Sequence, residues 1–309
     1  MVMKKYSEEL KQILEATGWS QEFLAGKLNT SFVTLNAWVN DKSEPREGAK
    51  ERIDLVLADV LGRSSIGEAE LKNIKNRALG YKSSPRNMVA NRPLLERITT
   101  SLTYHSNGTE GSTMTEEDVR EVIFANHTLK NRTLIEQQEA VNHQSALYFL
   151  LDELGGEEFI FTPELIKAVH LRMMNGIASD AGTWRNHGVR VTGSRVARAN
   201  YVKVPELIDR WCNLANSETM DKIGLLASTH AEFERIHPFS DGNGRTGRLL
   251  LFALALKLKL TPPILHRERR EAYYKYLELA NERGITDSLE YLIAQAIIET
   301  GEMMEDESL

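Results

Sequence analysis

The sequence predicts a mainly α fold, a helical body with one short β-hairpin, preceded by a small N-terminal helical module. Three observations predict it. Apolar residues recur at i, i+3, i+4 and i+7 through most of the chain. Residues that start helices (Ser, Thr, Asp) and residues that stop them (Gly, Pro) bound those stripes. Period-two alternation stands out only at Val189-Arg190-Val191, inside a segment punctuated by Gly182, Gly188 and Gly193. At 309 residues, 41% hydrophobic and 27% charged, the chain is long enough for one large domain or two with a sizeable core.

Residues 1–61 form the first module. Leu10, Ile13 and Leu14 sit at helical spacing and Gly18 ends their helix; Ser20 caps a second helix with Phe23, Leu24 and Leu28 as its stripe. A third runs from Ser31 to Val39 with Val33, Leu35 and Trp38. Trp19-Ser20-Gln21-Glu22, Leu24-Ala25, Leu28, Ser31, Thr34, Trp38 and the tail Asn40–Pro45 resemble the helix-turn-helix module of the Cro/repressor family. That resemblance implies a third helix that enters the DNA major groove. Phe32 and Ala37 depart from it, standing where the family often places polar or basic groups. Residues 1–60 also carry eight Lys and Arg against ten Asp and Glu. Affinity for DNA rests largely on phosphate contacts, so this balance weighs against DNA binding by residues 1–61.

Residues 62–98 are polar and basic around Lys72–Arg86, with Gly80, Ser83, Ser84 and Pro85 as breakers, and read as a connector with a helix over Ile66–Leu79. From 99 to 300 the helical pattern is dense. Thr115 caps a helix with an acidic first turn, Glu116-Glu117-Asp118. Glu136–Leu154 is a helix broken by Gly155-Gly156, and Thr162-Pro163 opens the next. After the hairpin segment, Pro205 opens a helix over Leu207, Ile208, Trp211 and Leu214. The next helix, Asp221–Ile236, places His230 on its apolar face, where a histidine reads as a core residue. His230, His237 and Asp241 lack a compact metal-ligand motif, so a metal triad there is poorly supported. Helices over Arg269–Arg283 and Asp287–Glu299 follow, and residues 301–309 read as an acidic tail.

The net charge of −6 argues against wholesale coating of nucleic acid. Cys212 is the only cysteine, which excludes an internal disulfide and a thiolate zinc site. The first residues lack the apolar stretch of a secretory signal, and the longest apolar run, Leu249–Leu256, is too short to cross a bilayer. The expected location is therefore the cytoplasm, with no membrane partner.

The chemistry concentrates in His237-Pro-Phe-Ser-Asp-Gly-Asn-Gly-Arg-Thr-Gly-Arg248. Pro238 disfavours helical geometry at His237 and so places the imidazole at a helix exit. The following glycines let backbone N–H groups converge at the start of the next helix, expected near Arg245, which makes an anion site. Arg245 and Arg248, three apart, suit a polyphosphate. Asp241 offers hard oxygens to Mg²⁺. His237 can take a proton from a hydroxyl near neutral pH. Local chemistry alone leaves kinase, nucleotidyl transferase and hydrolase open.

This stretch resembles the signature of the Fic domain family, His-Pro-Phe-x-(Asp/Glu)-Gly-Asn-Gly-Arg-x-x-Arg, at every specified position. The resemblance extends over about residues 90–300 and includes Ala181–Asn186, Tyr273-Tyr274 and Ala280-Asn281. It implies a helical fold with a β-hairpin flap, and transfer of AMP from ATP to a Ser, Thr or Tyr hydroxyl of a target protein. His237 would be the base, and Asp241 would hold Mg²⁺. Gly242, Asn243 and Gly244 would form the anion hole. Arg245 would bind phosphate, in an ATP site that also takes in Thr246, Gly247 and Arg248. Asn281 would lie near the adenine or ribose. Val189, Arg190, Val191, Thr192 and Gly193 would hold the target by strand addition. The related Doc kinases carry Lys at the position of Gly244, which favours nucleotidyl transfer here.

Ser106-x-x-x-Glu110-Gly111 resembles the family's inhibitory motif. There the glutamate pairs with the second motif arginine, here Arg248. Gly108 inside that helix, at about 1 kcal/mol less favourable than alanine, predicts a weak brake. Two other readings stay open: removal of AMP from a modified protein, with Glu110 positioning water, and a DNA-bound regulator whose Fic part is a sensor. Tyr201 beside the flap makes self-modification a further expectation, and the sequence leaves a homodimer open.

Overall fold

The computed structural model describes residues 6–61, 66–189 and 198–305. The described residues form fifteen α-helices and two short 3-10 turns. Four make the N-terminal module: α1 (Tyr6–Thr17), α2 (Gln21–Lys27), α3 (Phe32–Val39) and α4 (Glu47–Leu61). Ser20 and Ser31 accept from the N–H groups of Phe23 and Thr34, both at 3.1 Å, and so start α2 and α3. Leu10, Ile13, Leu24, Leu28, Leu35, Trp38, Ile53 and Leu57 close a separate small core. Phe23 does not share Leu24's face: adjacent helical residues lie about 100° apart, and Phe23 is half exposed.

The remaining helices are α5 (Glu68–Ala78), α6 (Pro85–Ala90), α7 (Arg92–Thr109), α8 (Glu116–Phe124), α9 (Leu134–Leu154), α10 (Pro163–Met173), α11 (Val204–Ala215), α12 (Lys222–Ile236), α13 (Asn243–Lys257), α14 (Arg270–Arg283) and α15 (Asp287–Glu305). The centre is α13. Leu249 through Leu256 are all buried, as expected of a helix that is apolar on every side, and α7, α9, α10 and α12 pack around it. Each fully buried Leu or Phe there stabilises the fold by about 1.5–3 kcal/mol. Capping boxes at Thr115 and Thr133 fix the starts of α8 and α9, and Thr162 with Pro163 starts α10.

The segment expected as a connector contributes Ile74, Ala78, Met88, Leu94 and Ile98 to the main core. Lys75 on α5 donates to Asp221 at 2.8 Å and to Glu290 at 2.6 Å, tying α5 to α12 and α15. At the other end α15 runs on to Glu305 rather than stopping at Glu299. Met303 and Met304 pack against the core, and Tyr81 lies against Gly301.

The expected β-hairpin is not seen. Among the described residues there is no strand; Val189 is irregular, and Arg190, Val191, Thr192 and Gly193 lie outside the described residues. The flanks of this segment are joined by a side chain instead. Arg185 donates to His187 O at 2.7 Å on one side and to Ala199 O at 2.5 Å on the other. No described helix is long and apolar enough to cross a membrane.

Candidate active site

Pro238 stops α12 as expected, and His237 takes the left-handed conformation at its C-terminus, φ 50° and ψ 63°. This is an uncommon backbone for a residue with a side chain, and neighbouring bonds hold it there. Arg185, itself buried, donates to His237 O at 2.6 Å and to Ile236 O at 3.2 Å; its own N–H reaches Pro238 O at 2.9 Å. The imidazole Nδ1 lies 3.3 Å from Glu234 O. Burial, and then the charge of Arg198, push the His237 pKa down to about 4, so the ring is neutral at pH 7.

The loop that follows is closed on itself. The Asn243 side chain accepts from Phe239 N–H and donates to Phe239 O, both at 2.9 Å. His170 on α10 stacks on the Phe239 ring, with centroids 3.5 Å apart. Its Nδ1 accepts from Gly182 N–H at 2.9 Å, which leaves Nε2–H to donate to Asp241 O, also at 2.9 Å. Burial holds this ring neutral as well, with a pKa near 4. Gly242 has φ +70°, and a Cβ there would come within 2.6 Å of Met174 Sδ, so glycine is required twice over. Ser240 Oγ donates to Asp180 at 2.6 Å.

Helix α13 starts at Asn243, two residues before the expected Arg245. Thr246 N–H is the first to find an intrahelical acceptor, Gly242 O at 3.0 Å. The N–H groups of Asn243, Gly244 and Arg245 have no acceptor within the helix and carry its positive end. Asp241 stands beside them with its side chain 72% exposed, and its Oδ1 accepts from Gly242 N–H at 2.6 Å. An anion and a hard cation both find suitable groups here.

The two motif arginines are buried and already paired. Arg245 donates to Glu139 on α9 at 2.6 Å. Arg248, 3% exposed, donates through Nε to Ser106 Oγ at 3.0 Å, and through Nη2 to Ser106 O at 2.9 Å and Glu110 Oε1 at 2.6 Å. Glu110 ends α7. Burial alone would raise its pKa, but the Arg248 guanidinium outweighs burial and holds the carboxyl below its usual range. A Cβ at Gly244 would collide with Glu110 Oε1, so the last turn of α7 reaches α13 only because position 244 is glycine. Gly108 has a similar reason, since a Cβ there would lie 2.7 Å from the Arg267 guanidinium.

The structure therefore brings His237, Asp241, Gly242, Asn243, Gly244, Arg245, Arg248, Ser106 and Glu110 into one locality. Thr246 and Gly247 belong to the same turn, but Thr246 is fully buried and its hydroxyl faces the core. Asn281 lies on α14 with a buried Nδ2 that has no hydrogen-bond partner. Sequence reasoning reads His230 correctly as a core residue: it is buried, with Nε2 2.8 Å from Tyr273 OH. It gave no role to Arg185, His170, Glu139 or Glu234. Each carries a polar group into the core from outside the 237–248 stretch, or, like Glu234, from an apolar helix face, and no local pattern marks them.

Residues 160–255 match the family model described as Fic/DOC family, and residues 10–48 match one described as helix-turn-helix. Residues 160–255 are thus similar to a Fic domain, and residues 10–48 to a helix-turn-helix. The Drosophila melanogaster protein adenylyltransferase Fic is 28% identical over 191 residues, which span 61% of this chain and 39% of the relative. The relative of the same name in Culex quinquefasciatus is also 28% identical over 191 residues, 61% of this chain and 38% of its own. The chain thus covers about two fifths of the length of these curated relatives. Among solved structures, Fic-1 from C. elegans has a TM-score of 0.67 at 21% identity, covering 98% of this chain and 82% of the other. A Fic-domain signalling protein from Bacteroides thetaiotaomicron has a TM-score of 0.62 at 20% identity, covering 76% and 94%. These likenesses establish the fold.

Proposed function

We propose that this protein is an adenylyltransferase that moves AMP from ATP to a hydroxyl side chain of a target protein, held back by Glu110 through Arg248. One observation carries the reading: His237 and the free N–H end of α13 bound one closed loop, while a carboxylate, Glu110, occupies an arginine of the same helix. The names of the curated relatives point the same way.

In this reading the target hydroxyl oxygen attacks the α-phosphorus. A new P–O bond forms, the bond from the α-phosphorus to the bridging oxygen breaks, pyrophosphate leaves, and the hydroxyl proton passes to His237 Nε2. The N–H groups of Asn243, Gly244 and Arg245 hold the phosphates, and Arg245 neutralises their charge, so catalysis is mainly positioning and electrostatics. Arg185 acts behind His237 by fixing the turn that aims the ring. Asp241 fits Mg²⁺ as a single exposed carboxylate near the phosphate site, since Mg²⁺ takes few protein ligands and keeps several waters. The ion would supply charge neutralisation on the phosphates.

Glu110 restrains the reaction because Arg248 is already spent on a carboxylate and on Ser106, and because the glutamate fills the space above Gly244. The helix-turn-helix match over residues 10–48 is a hint of DNA binding; at the start of α3 the exposed Phe32 and Val33 side chains offer no phosphate contact, whereas the exposed hydroxyls of Ser31 and Thr34 can. The test of the base is His237→Ala. The variant is expected to bind ATP as tightly as wild type by calorimetry and to lose AMP transfer by at least about a hundredfold. Transfer within a few fold of wild type would remove His237 from its role.

A further inference from the structure

One cluster of metal-ligating side chains stands apart from Asp241. His105 on α7, His266 and Glu268 each place one ligand atom within 4.8 Å of the others. The two imidazoles stack with centroids 4.2 Å apart, and His105 Nδ1 is 3.7 Å from Glu268 Oε2. His105 is buried, His266 half-buried and Glu268 exposed, so the cluster opens to solvent on its carboxylate side. Nothing in the reaction proposed above uses these three residues.

We propose that His105, His266 and Glu268 bind a transition-metal ion of the Zn²⁺ type, and that the ion clamps the inhibitory helix α7 to the 3-10 turn at Arg267–Arg269. Two imidazoles and one carboxylate are a ligand set that suits Zn²⁺, with water completing a four-coordinate shell. Mg²⁺ and Ca²⁺, which take oxygen ligands, are selected against. Convergence on one ion needs the half-buried His266 ring to turn out of its stack on His105, so that both in-plane lone pairs meet the ion, and the exposed Glu268 side chain to rotate. His105 Nδ1 accepts a long bond, 3.3 Å, from Arg267 N–H, which is readily given up. The charge of Arg267 opposes a cation here, and the carboxylate of Glu268 offsets it.

The location gives the site its consequence. His105 immediately precedes Ser106, and Glu110 lies five residues on, at the end of the same helix. Arg267 lies across α7, its guanidinium 5.2 Å from the Tyr104 ring centroid and against Gly108. The turn therefore already rests on the helix one turn before Glu110. An ion bridging His105 to His266 and Glu268 would fix that contact and resist any movement of α7 that frees Arg248. The regulatory half of this inference rests on the transfer activity proposed above; the binding half does not.

The test begins with the full chain stripped by a chelator and titrated with Zn²⁺ by calorimetry, and with Co²⁺ followed by its visible d–d bands. One ion per chain is expected. His266→Ala and Glu268→Gln, both at partly exposed positions that leave the core intact, should weaken binding by about tenfold or more. No binding, or binding that these variants leave unchanged, overturns the site. AMP transfer is then measured in excess Mg²⁺ with and without Zn²⁺. Wild type should slow by about fivefold or more, while His266→Ala and Glu110→Gly should be indifferent. Slowing of Glu110→Gly by the same factor would overturn the clamp, since Zn²⁺ would then be acting at the catalytic centre. Absence of transfer in every variant would instead defeat the proposed activity and leave the binding result standing.

Discussion

Asn243 shows how a motif residue can serve the chemistry without touching substrate through its side chain. Its amide is committed to both backbone groups of Phe239, which closes the loop and leaves only the Asn243 N–H for a ligand. Asn243→Ala is expected to lower stability by about 1–3 kcal/mol, because it leaves the Phe239 N–H and C=O unpaired in a buried place. Urea unfolding measures this, and an unchanged midpoint would show that the loop does not depend on the pair. At this scale the sequence was informative wherever chemistry and spacing coincide. His237, Asp241, Arg245 and Arg248 are legible because twelve consecutive residues carry them. Arg185 and His170 are not, because the bonds that tie them to the motif run to backbone carbonyls, His237 O and Asp241 O, scores of residues away, and one-dimensional spacing holds no record of such pairs.

The helix that matters most after α13 is α7. Ser106 and Glu110, four apart, share one face and meet Arg248, while Tyr104 and Gly108 turn another face to Arg267. From helix propensity alone Gly108 is a weak point in the brake. The structure gives it a packing reason, since the glycine admits the Arg267 side chain, and the cost in helix propensity is set against that contact. Glu110→Gly is expected to raise AMP transfer by about fivefold or more, since it frees Arg248 and clears Gly244. Initial rates with labelled ATP measure it, and equal rates would remove the intramolecular brake. Helix starts are readable from their caps, as at Ser20, Thr115 and Thr162. The hairpin expectation rests on three alternating residues and on the family resemblance, and of residues 189–193 only Val189, which is irregular, is described.

For the molecule as a whole, the dominant electrostatic feature is a set of buried histidines around the guanidinium groups. Burial holds His143 and His230 near pKa 3 and His105, His170 and His237 near 4, against about 6.5 in an unfolded chain. Between those values the unfolded chain binds more protons, so stability from these groups is full above about pH 6.5 and drains away as the pH falls towards 3–4. Glu234, raised to about 7 by burial, acts oppositely: its contribution is lost as the pH rises from about 4.5 to 7. Glu51 and Asp287, also raised by burial, act with Glu234, so five groups stand against three. The denaturation midpoint is therefore expected to be clearly higher at pH 7.5 than at pH 4.5, and a flat profile would contradict the buried neutral assignment. The N-terminal module has its own core and meets the larger body through α4 and α14, where Lys275 donates to Asp59 at 3.0 Å. Which phosphate is attacked is decided by giving Glu110→Gly two samples of ATP, one labelled at the α-phosphate and one at the γ-phosphate. Protein is expected to take up the α label, while the γ label leaves as pyrophosphate. Uptake of the γ label by protein would contradict AMP transfer and make the enzyme a kinase.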